Sequence, residues 1–263
     1  MSTLTEHRNP PIGPVIGYHK WRDLLFLHWK VPADAMQALV PPPLIVDTFD
    51  GWAWAGVVAF DMHGVRPWWF PALPGVSAFH ETNVRTYVRC GDDVPGVWFF
   101  SLDAGNSLAV RVARRRWHLN YFRAKMQLQR AGNRLTYSSR RLWPESAPAS
   151  YAIEAEIGSS IGTAAPDSFE NFLVERYVLY SQRRDGRLFR GRVNHVPYPL
   201  KIATLPSCEQ TLTAAGGIAV SGAPQHVVFS EGVDVGIGPL RPLPTEPESA
   251  GTTAVCDRGG RLL

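Results

Sequence analysis

Lysine is scarce in this chain. It occurs only at Lys20, Lys30, Lys125 and Lys201, so the formal charge of +4 rests almost wholly on arginine, a sign of coding bias more than of a binding surface. Cysteine is rarer still: Cys90, Cys208 and Cys256 lie far apart, without CxxC or Cys/His ligand spacing, which argues against a structural zinc or a disulfide framework. There is no run of about 18 apolar residues able to cross a bilayer as a helix, and residues 1–8 lack the apolar stretch of a signal peptide. A cytoplasmic protein without membrane contact is expected. Motifs of several chemistries are missing too: no GxSxG elbow, no Walker loop, and a Gly232-Val233-Asp234-Val235-Gly236 run with the wrong spacing for a dinucleotide fingerprint. Asp61, His63, His80, Glu81, His118 and His195 are ligand types, but none shows HxH, HxxxH or HExxH spacing, so neither a metal nor another cofactor is expected. The one dense basic run, Arg114-Arg115-Arg116 with Arg111 before it, lacks stacking aromatics or a helix-turn-helix pattern. It reads as a solvated face, with no nucleic-acid partner.

What is present is one strand-rich domain. A chain of 263 residues can bury a single sizeable core. Residues 1–17, broken by proline and glycine, are expected to form an N-terminal arm, and the proline, glutamate, serine and glycine content from Pro239 onward predicts a disordered tail over 241–263. Between them, strands are predicted at 24–30, 51–60, 81–89, 97–102, 121–129, 134–142, 152–157, 177–183, 188–195 and 226–230. Short helices are predicted at Ala35–Val40, at Ser107–Arg116, and at Ser168–Glu175 with Asp167 as its start. The Trp- and Pro-rich stretch 66–74 reads as a stiff loop, a lid or a rim.

The segment Phe79-His80-Glu81-Thr82-Asn83-Val84-Arg85-Thr86-Tyr87-Val88 carries the clearest site signal. On a strand, Phe79, Glu81, Asn83 and Arg85 share one face, while His80, Thr82, Val84, Thr86 and Val88 share the other. Glu81 is either a proton-transfer group in a dry pocket or half of an ion pair with Arg85 or Arg22.

Several segments in order carry a resemblance. They are Trp21-Arg22-Asp23, Val31-Pro32-Ala33-Asp34, Leu39 to Leu44, Phe79 to Asn83, Trp117 to Met126, Glu175-Arg176-Tyr177 with Tyr180, Val196 to Leu200, and Ser230 to Val235. Together they resemble the YqjF-like family (domain of unknown function 2071) of the acetoacetate decarboxylase-like superfamily, over residues 18–240. The resemblance implies a mainly β fold with short helices, a closed antiparallel β-barrel around a central pocket able to hold one small ligand. It matches Arg22 to the arginine that holds the substrate carboxylate, and Glu81 to the pocket carboxylate. The paired lysines of the decarboxylases fall on Leu119-Asn120-Tyr121-Phe122, where there is no lysine. Lys125, on one strand face with Tyr121, is the remaining candidate amine.

The site expected from these matches has Glu81 and Tyr121 as catalytic groups, Tyr121 offering a phenol to an enolate-like oxygen or serving only as core packing. Arg22, His118, Arg176 and Tyr177 are the expected substrate-binding residues, the last two at the barrel mouth, with packing and helix-end pairing as the alternative for both. The expected function is binding of, or lyase, hydratase or tautomerase action on, a small organic acid or β-dicarbonyl without a Schiff base. A non-catalytic ligand-binding barrel is the alternative, and a homo-oligomer is left open.

Overall fold

A computed structural model describes residues 14–91, 94–144 and 147–243. The chain begins with strand β1 (Gly17–Val31), a short helix α1 (Ala33–Gln37) and strands β2 (Leu44–Val46) and β3 (Ala53–Pro67). The hairpin of β4 (Phe79–Cys90) and β5 (Gly96–Ala104) follows, then helix α2 (Ser107–Arg116). Three long antiparallel strands come next: β6 (Tyr121–Ala131), β7 (Arg134–Trp143) and β8 (Ser150–Gly162). Helix α3 (Phe169–Val174), β9 (Val178–Gln182), β10 (Leu188–Asn194), β11 (Leu200–Gln210), α4 (Leu212–Ala215), β12 (His226–Ile237) and β13 (Arg241–Pro242) complete it.

All thirteen strands belong to one sheet, in the order β13-β10-β9-β5-β6-β7-β8-β11-β12-β1-β3-β4-β2, with further pairings of β4 with β5 and of β10 with β12. The pairing is antiparallel except at β5, which runs parallel to β6 along one stretch and to β9 along another. This departs from the expected antiparallel arrangement. For β6 the cause is α2: the helical crossover brings the chain back beside the last residues of β5, and Tyr121 to Arg123 run alongside Leu102 to Ala104.

β1 is buried on both faces. Leu25 and Leu27 pack with Val57, Ala59 and Val84 under Leu135, Tyr137 and Ile153 of β7 and β8, while Leu24 and Phe26 join Val58, Phe60 and Phe172 on the opposite side. The second side holds the cavity described below. No helix among the described residues is long and apolar enough to cross a membrane.

Several element boundaries differ from the sequence expectation. Strand β1 begins at Gly17 rather than at Leu24, and α1 occupies Ala33–Gln37 instead of Ala35–Val40. Helix α2 has the expected bounds because Asn106 caps it, its side chain accepting from Leu108 N and Ala109 N. For α3 the cap is Ser168, accepting from Asn171 N, since Asp167 has a left-handed φ of 61° outside the helix. Strand β11 was not anticipated. At the C-terminus, Arg241–Pro242 pairs with β10, and Leu243 packs against the core, so the expected tail starts later than 241; residues 244–263 lie outside the described residues.

Candidate functional site

A cavity of about 220 Å³ lies on the second face of the sheet, and β4 supplies its polar groups. Phe79, Glu81, Asn83 and Arg85 all line it, as period-two alternation requires, while Thr82 points the other way to meet the Tyr151 hydroxyl at 2.6 Å. Opposite them on β3 stand Phe60 beside Glu81, Val58 beside Asn83 and Gly56 beside Arg85. One side of the cavity is walled by α2 through Ala109, Val112 and Ala113, followed by Trp117.

Glu81 is 3% exposed and makes no ion pair among the described residues. Burial raises its pKa from the ordinary carboxylate range to about 8, with a smaller push from the Asp103 charge and an opposing pull from the Tyr121 hydroxyl. That hydroxyl donates to Glu81 Oε2 at 2.9 Å. Asp103 sits on the far face of the sheet, where Arg141 holds it from Nη2 at 2.7 Å and from Nε at 3.0 Å. At pH 7 Glu81 is thus predominantly a neutral acid hydrogen-bonded to a neutral phenol. The pKa of Tyr121 is itself driven well above its usual value by burial and by Glu81.

Arg85 forms the other polar end. It is 8% exposed, its Nη2 donates to Leu173 O at 3.0 Å, and its guanidinium lies near the rings of Phe26 and Tyr87, 5.7 Å from each centroid. Its Nε has no partner, and no carboxylate among the described residues lies within ion-pair distance of it. Arg176, also lining the cavity, differs: Asp47 Oδ2 takes its Nη1 at 2.9 Å and Phe172 O takes its Nε at 2.8 Å, leaving Nη2 unpaired. Asp47 is shared with Arg89 at 3.2 Å, so this end of the cavity carries surplus positive charge.

Of the six residues expected at the site, Glu81, Tyr121 and Arg176 line this cavity and Arg22, His118 and Tyr177 do not. Arg22 faces outward, bonding Trp21 O and Val233 O at 2.8 Å and the Asp234 carboxylate. The reason is a bulge at Asp23, whose φ is 50° and where the register of β1 against β3 slips by one between Arg22 and Leu25. Before the bulge, odd-numbered His19 and Trp21 face the cavity; after it, even-numbered Leu24 and Phe26 do. Strand β12 makes the same change of phase at Gly232, which pairs with Arg22 at φ 129° and whose absent Cβ would fall 2.0 Å from Trp21 O.

His118 lies instead in a second cleft of about 290 Å³, with its ring 5.2 Å from that of Phe189. Tyr177 is buried and spends its hydroxyl on Glu175 Oε2, while Glu175 Oε1 accepts from Tyr198 N at 2.9 Å; both are packing and positioning contacts. Two further polar residues of the cavity, Asn83 and Arg85, are not among the expected site residues; the signal for them is the alternation that places them on the face of Glu81. The alternative of an ion pair between Glu81 and Arg85 is not found among the described residues. The lysines stay outside: Lys20, Lys30 and Lys125 are exposed, Lys201 pairs with Glu231 at 2.6 Å, and none lines the cavity. Among the described residues no cluster of three or more His, Cys, Asp or Glu is placed to hold a metal ion.

The fold is similar to that of solved acetoacetate decarboxylase-like proteins. It is similar to an acetoacetate decarboxylase-like enzyme from Sphingomonas wittichii RW1, with a TM-score of 0.58 and 13% identity over 88% of this chain and 94% of that one. Acetoacetate decarboxylase from Legionella pneumophila gives 0.56 and 12% over 93% and 96%. The enduracididine biosynthesis enzyme MppR complexed with pyruvate gives 0.56 and 13% over 89% and 93%. The chain belongs to the DUF2071 family, described as an uncharacterized conserved protein, whose model matches residues 18–234. YqjF of Bacillus subtilis (strain 168) is 37% identical over 231 residues, 88% of this chain and 94% of its own length.

Proposed function

We propose that this protein takes up a small organic acid or β-dicarbonyl compound in the central cavity and moves a proton on it, without forming a Schiff base. The observation that carries the proposal is Arg85, a nearly buried guanidinium with an unpartnered Nε and no counter-ion among the described residues, in the same cavity as the neutral acid Glu81. Leaving a buried charge unpaired is costly, so an anionic ligand is its natural complement. Arg85 thereby takes the carboxylate-holding role expected of Arg22. That MppR was solved with pyruvate supports a small oxo acid as the ligand class.

The chemistry follows from the protonation states. Glu81, near its pKa at physiological pH, can give a proton to an enolate-like carbon or oxygen and take one back, and the neutral Tyr121 phenol can donate to the developing oxyanion. Lyase, hydratase and tautomerase reactions all need that pair. An imine needs an amine, and no lysine lines the cavity. The pairings of β4 with β5 and of β10 with β12 support reading the sheet as a closed barrel around the ligand.

A second reading, a ligand-binding barrel without turnover, draws on the mainly apolar wall formed by Trp21, Phe26, Phe60, Met62, Phe99 and Trp117. The test is a thermal-shift screen against small carboxylic acids and 1,3-dicarbonyls, since a ligand at 100 times its Kd stabilises by about 2.7 kcal/mol. Hits are then followed by proton NMR in deuterated water. Protein-dependent exchange of the protons next to the carbonyl, reduced about 100-fold or more in Glu81→Gln, identifies an enzyme. Binding with no exchange identifies the carrier.

A further inference from the structure

The two polar ends of the cavity are too far apart for one short oxo acid. Glu81 and Arg85 project from the same face of β4 four residues apart, which at ~3.3 Å per residue separates their Cα atoms by about 13 Å. Their side chains are held by different partners. The Glu81 carboxyl is held by Tyr121, at the start of β6, and the Arg85 guanidinium is held by the carbonyl of Leu173 near the end of α3. In acetoacetate a single methylene separates the carboxylate from the carbonyl. Such a molecule reaches either the guanidinium or the acid and phenol, but not both.

Between the ends the wall is apolar. Phe60 and Val58 stand along β3, Phe26 on β1, and Leu102 and Phe99 on β5. On β4 the polar side chain between the two ends is Asn83, two residues from each, buried with its side-chain oxygen unpartnered. The cavity, at about 220 Å³, is smaller than the ~300–1,000 Å³ of pockets for drug-sized ligands, so a long occupant must also be slender.

Resting on the organic-acid reading above, we infer that the preferred ligand is a slender acid with the reactive carbonyl several carbon–carbon bonds from the carboxylate, across an apolar chain or a single ring. Its carboxylate sits on Arg85, its apolar body fills the space between Val58, Phe26 and Phe99, and its carbonyl reaches Glu81 and Tyr121. A hydroxyl or N–H near the middle of the body finds its acceptor in Asn83. Short oxo acids bind at one end only.

The full chain is titrated calorimetrically at pH 7 with methyl-ketone acids of rising length: acetoacetate, levulinate, and homologues with four, six and eight methylenes between the two groups. The methyl ester of each is titrated alongside. Affinity is expected to rise about fourfold per methylene until the cavity is spanned and to fall beyond it, as apolar surface is first buried and then excluded. The best acid should bind at least tenfold more tightly than its ester, because only the acid pairs with Arg85. In Arg85→Met the acid should lose that advantage while the ester keeps its affinity. The ester comparison in the unaltered protein carries the same information should the variant fail to fold. If acetoacetate binds tightest and lengthening weakens binding, the spanning inference is overturned while the organic-acid reading stands. If no acid of the series binds, both are overturned.

Discussion

The hydroxyl of Tyr121 donates to Glu81 at 2.9 Å from the far side of β5, so an acid on one strand is tuned by a phenol that a helical crossover delivers. This hydrogen bond opposes the effect of burial, because it favours the ionised carboxylate. Tyr121→Phe should accordingly raise the Glu81 pKa beyond its value of about 8. Carbon-13 detected titration of the Glu81 carboxyl would follow this directly, and a downward shift would contradict the arrangement.

Glu81 also gives folding stability a pH dependence of known sign. Its folded-state pKa is raised, so between about 4.5 and about 8 the native state binds more protons than the unfolded chain, and stability falls as pH rises through that window. His19 and His195, both lowered to about 4 by burial, and His28 and His226, also lowered by burial, act oppositely, and their effect fades only about one pH unit above the ordinary imidazole value of ~6.5. The difference in stability to urea between the unaltered protein and Glu81→Gln, followed across this range, therefore isolates Glu81. That difference is expected to decline by up to ~1.4 kcal/mol per pH unit as pH rises between about 4.5 and about 8.

Two arginines should separate cleanly. Arg85→Met is expected to weaken the binding of a carboxylate ligand by about 10- to 100-fold, the worth of hydrogen bonds to a charged group. Arg22→Ala, at a part-exposed pair with Asp234, should leave ligand affinity unchanged and alter stability by no more than about 1 kcal/mol. Titration calorimetry on both variants, with one ligand, settles the anchor.

Gly56 leaves the space in which the Arg85 stem lies. A Cβ there would meet Arg85 Cγ at 3.2 Å and both His28 Cδ2 and the Tyr87 hydroxyl at 3.3 Å. Gly56→Ala should cost about 1–3 kcal/mol by overpacking and displace the guanidinium, so reduced carboxylate affinity should accompany the loss of stability. Measured ligand affinity equal to that of the unaltered protein would show that Arg85 is not the anchor.

Incubation with acetoacetate and borohydride should leave the mass of the protein unchanged, because reduction traps only an imine already formed at an amine. An adduct on Lys125, the exposed lysine of β6, would overturn the proposal of a reaction without a Schiff base.

The sequence made β4 legible because its alternation runs unbroken from Phe79 to Arg85 against β3, and it made α2 legible because Asn106 supplies an unambiguous cap. Strand β11 was hidden by Pro206, which lies inside a register shift between Thr204 and Ser207 where a missing N–H is tolerated. Tyr121 was foreseen at the site, but its bond to Glu81 depends on the parallel placement of β6 on β5, a long-range fact with no local signature. Arg22 is expected in the pocket from its match to the carboxylate-holding arginine, and what turns it outward is a bulge that only the left-handed backbone at Asp23 reveals. Arg85 carries no role in the sequence for a different reason: charge complementarity offers Glu81 as an alternative partner for it, and only the structure shows the two unpaired.

The bulge at Asp23 also has a bearing on how such a chain can change. What the cavity meets on β1 is decided by parity, since the same residues out of phase would present a guanidinium where Trp21 now presents an indole. Losing or gaining one codon near position 23 would therefore change which side chains of β1 the cavity meets at His19 and Trp21, with no substitution at any residue that lines it from β3 or β4.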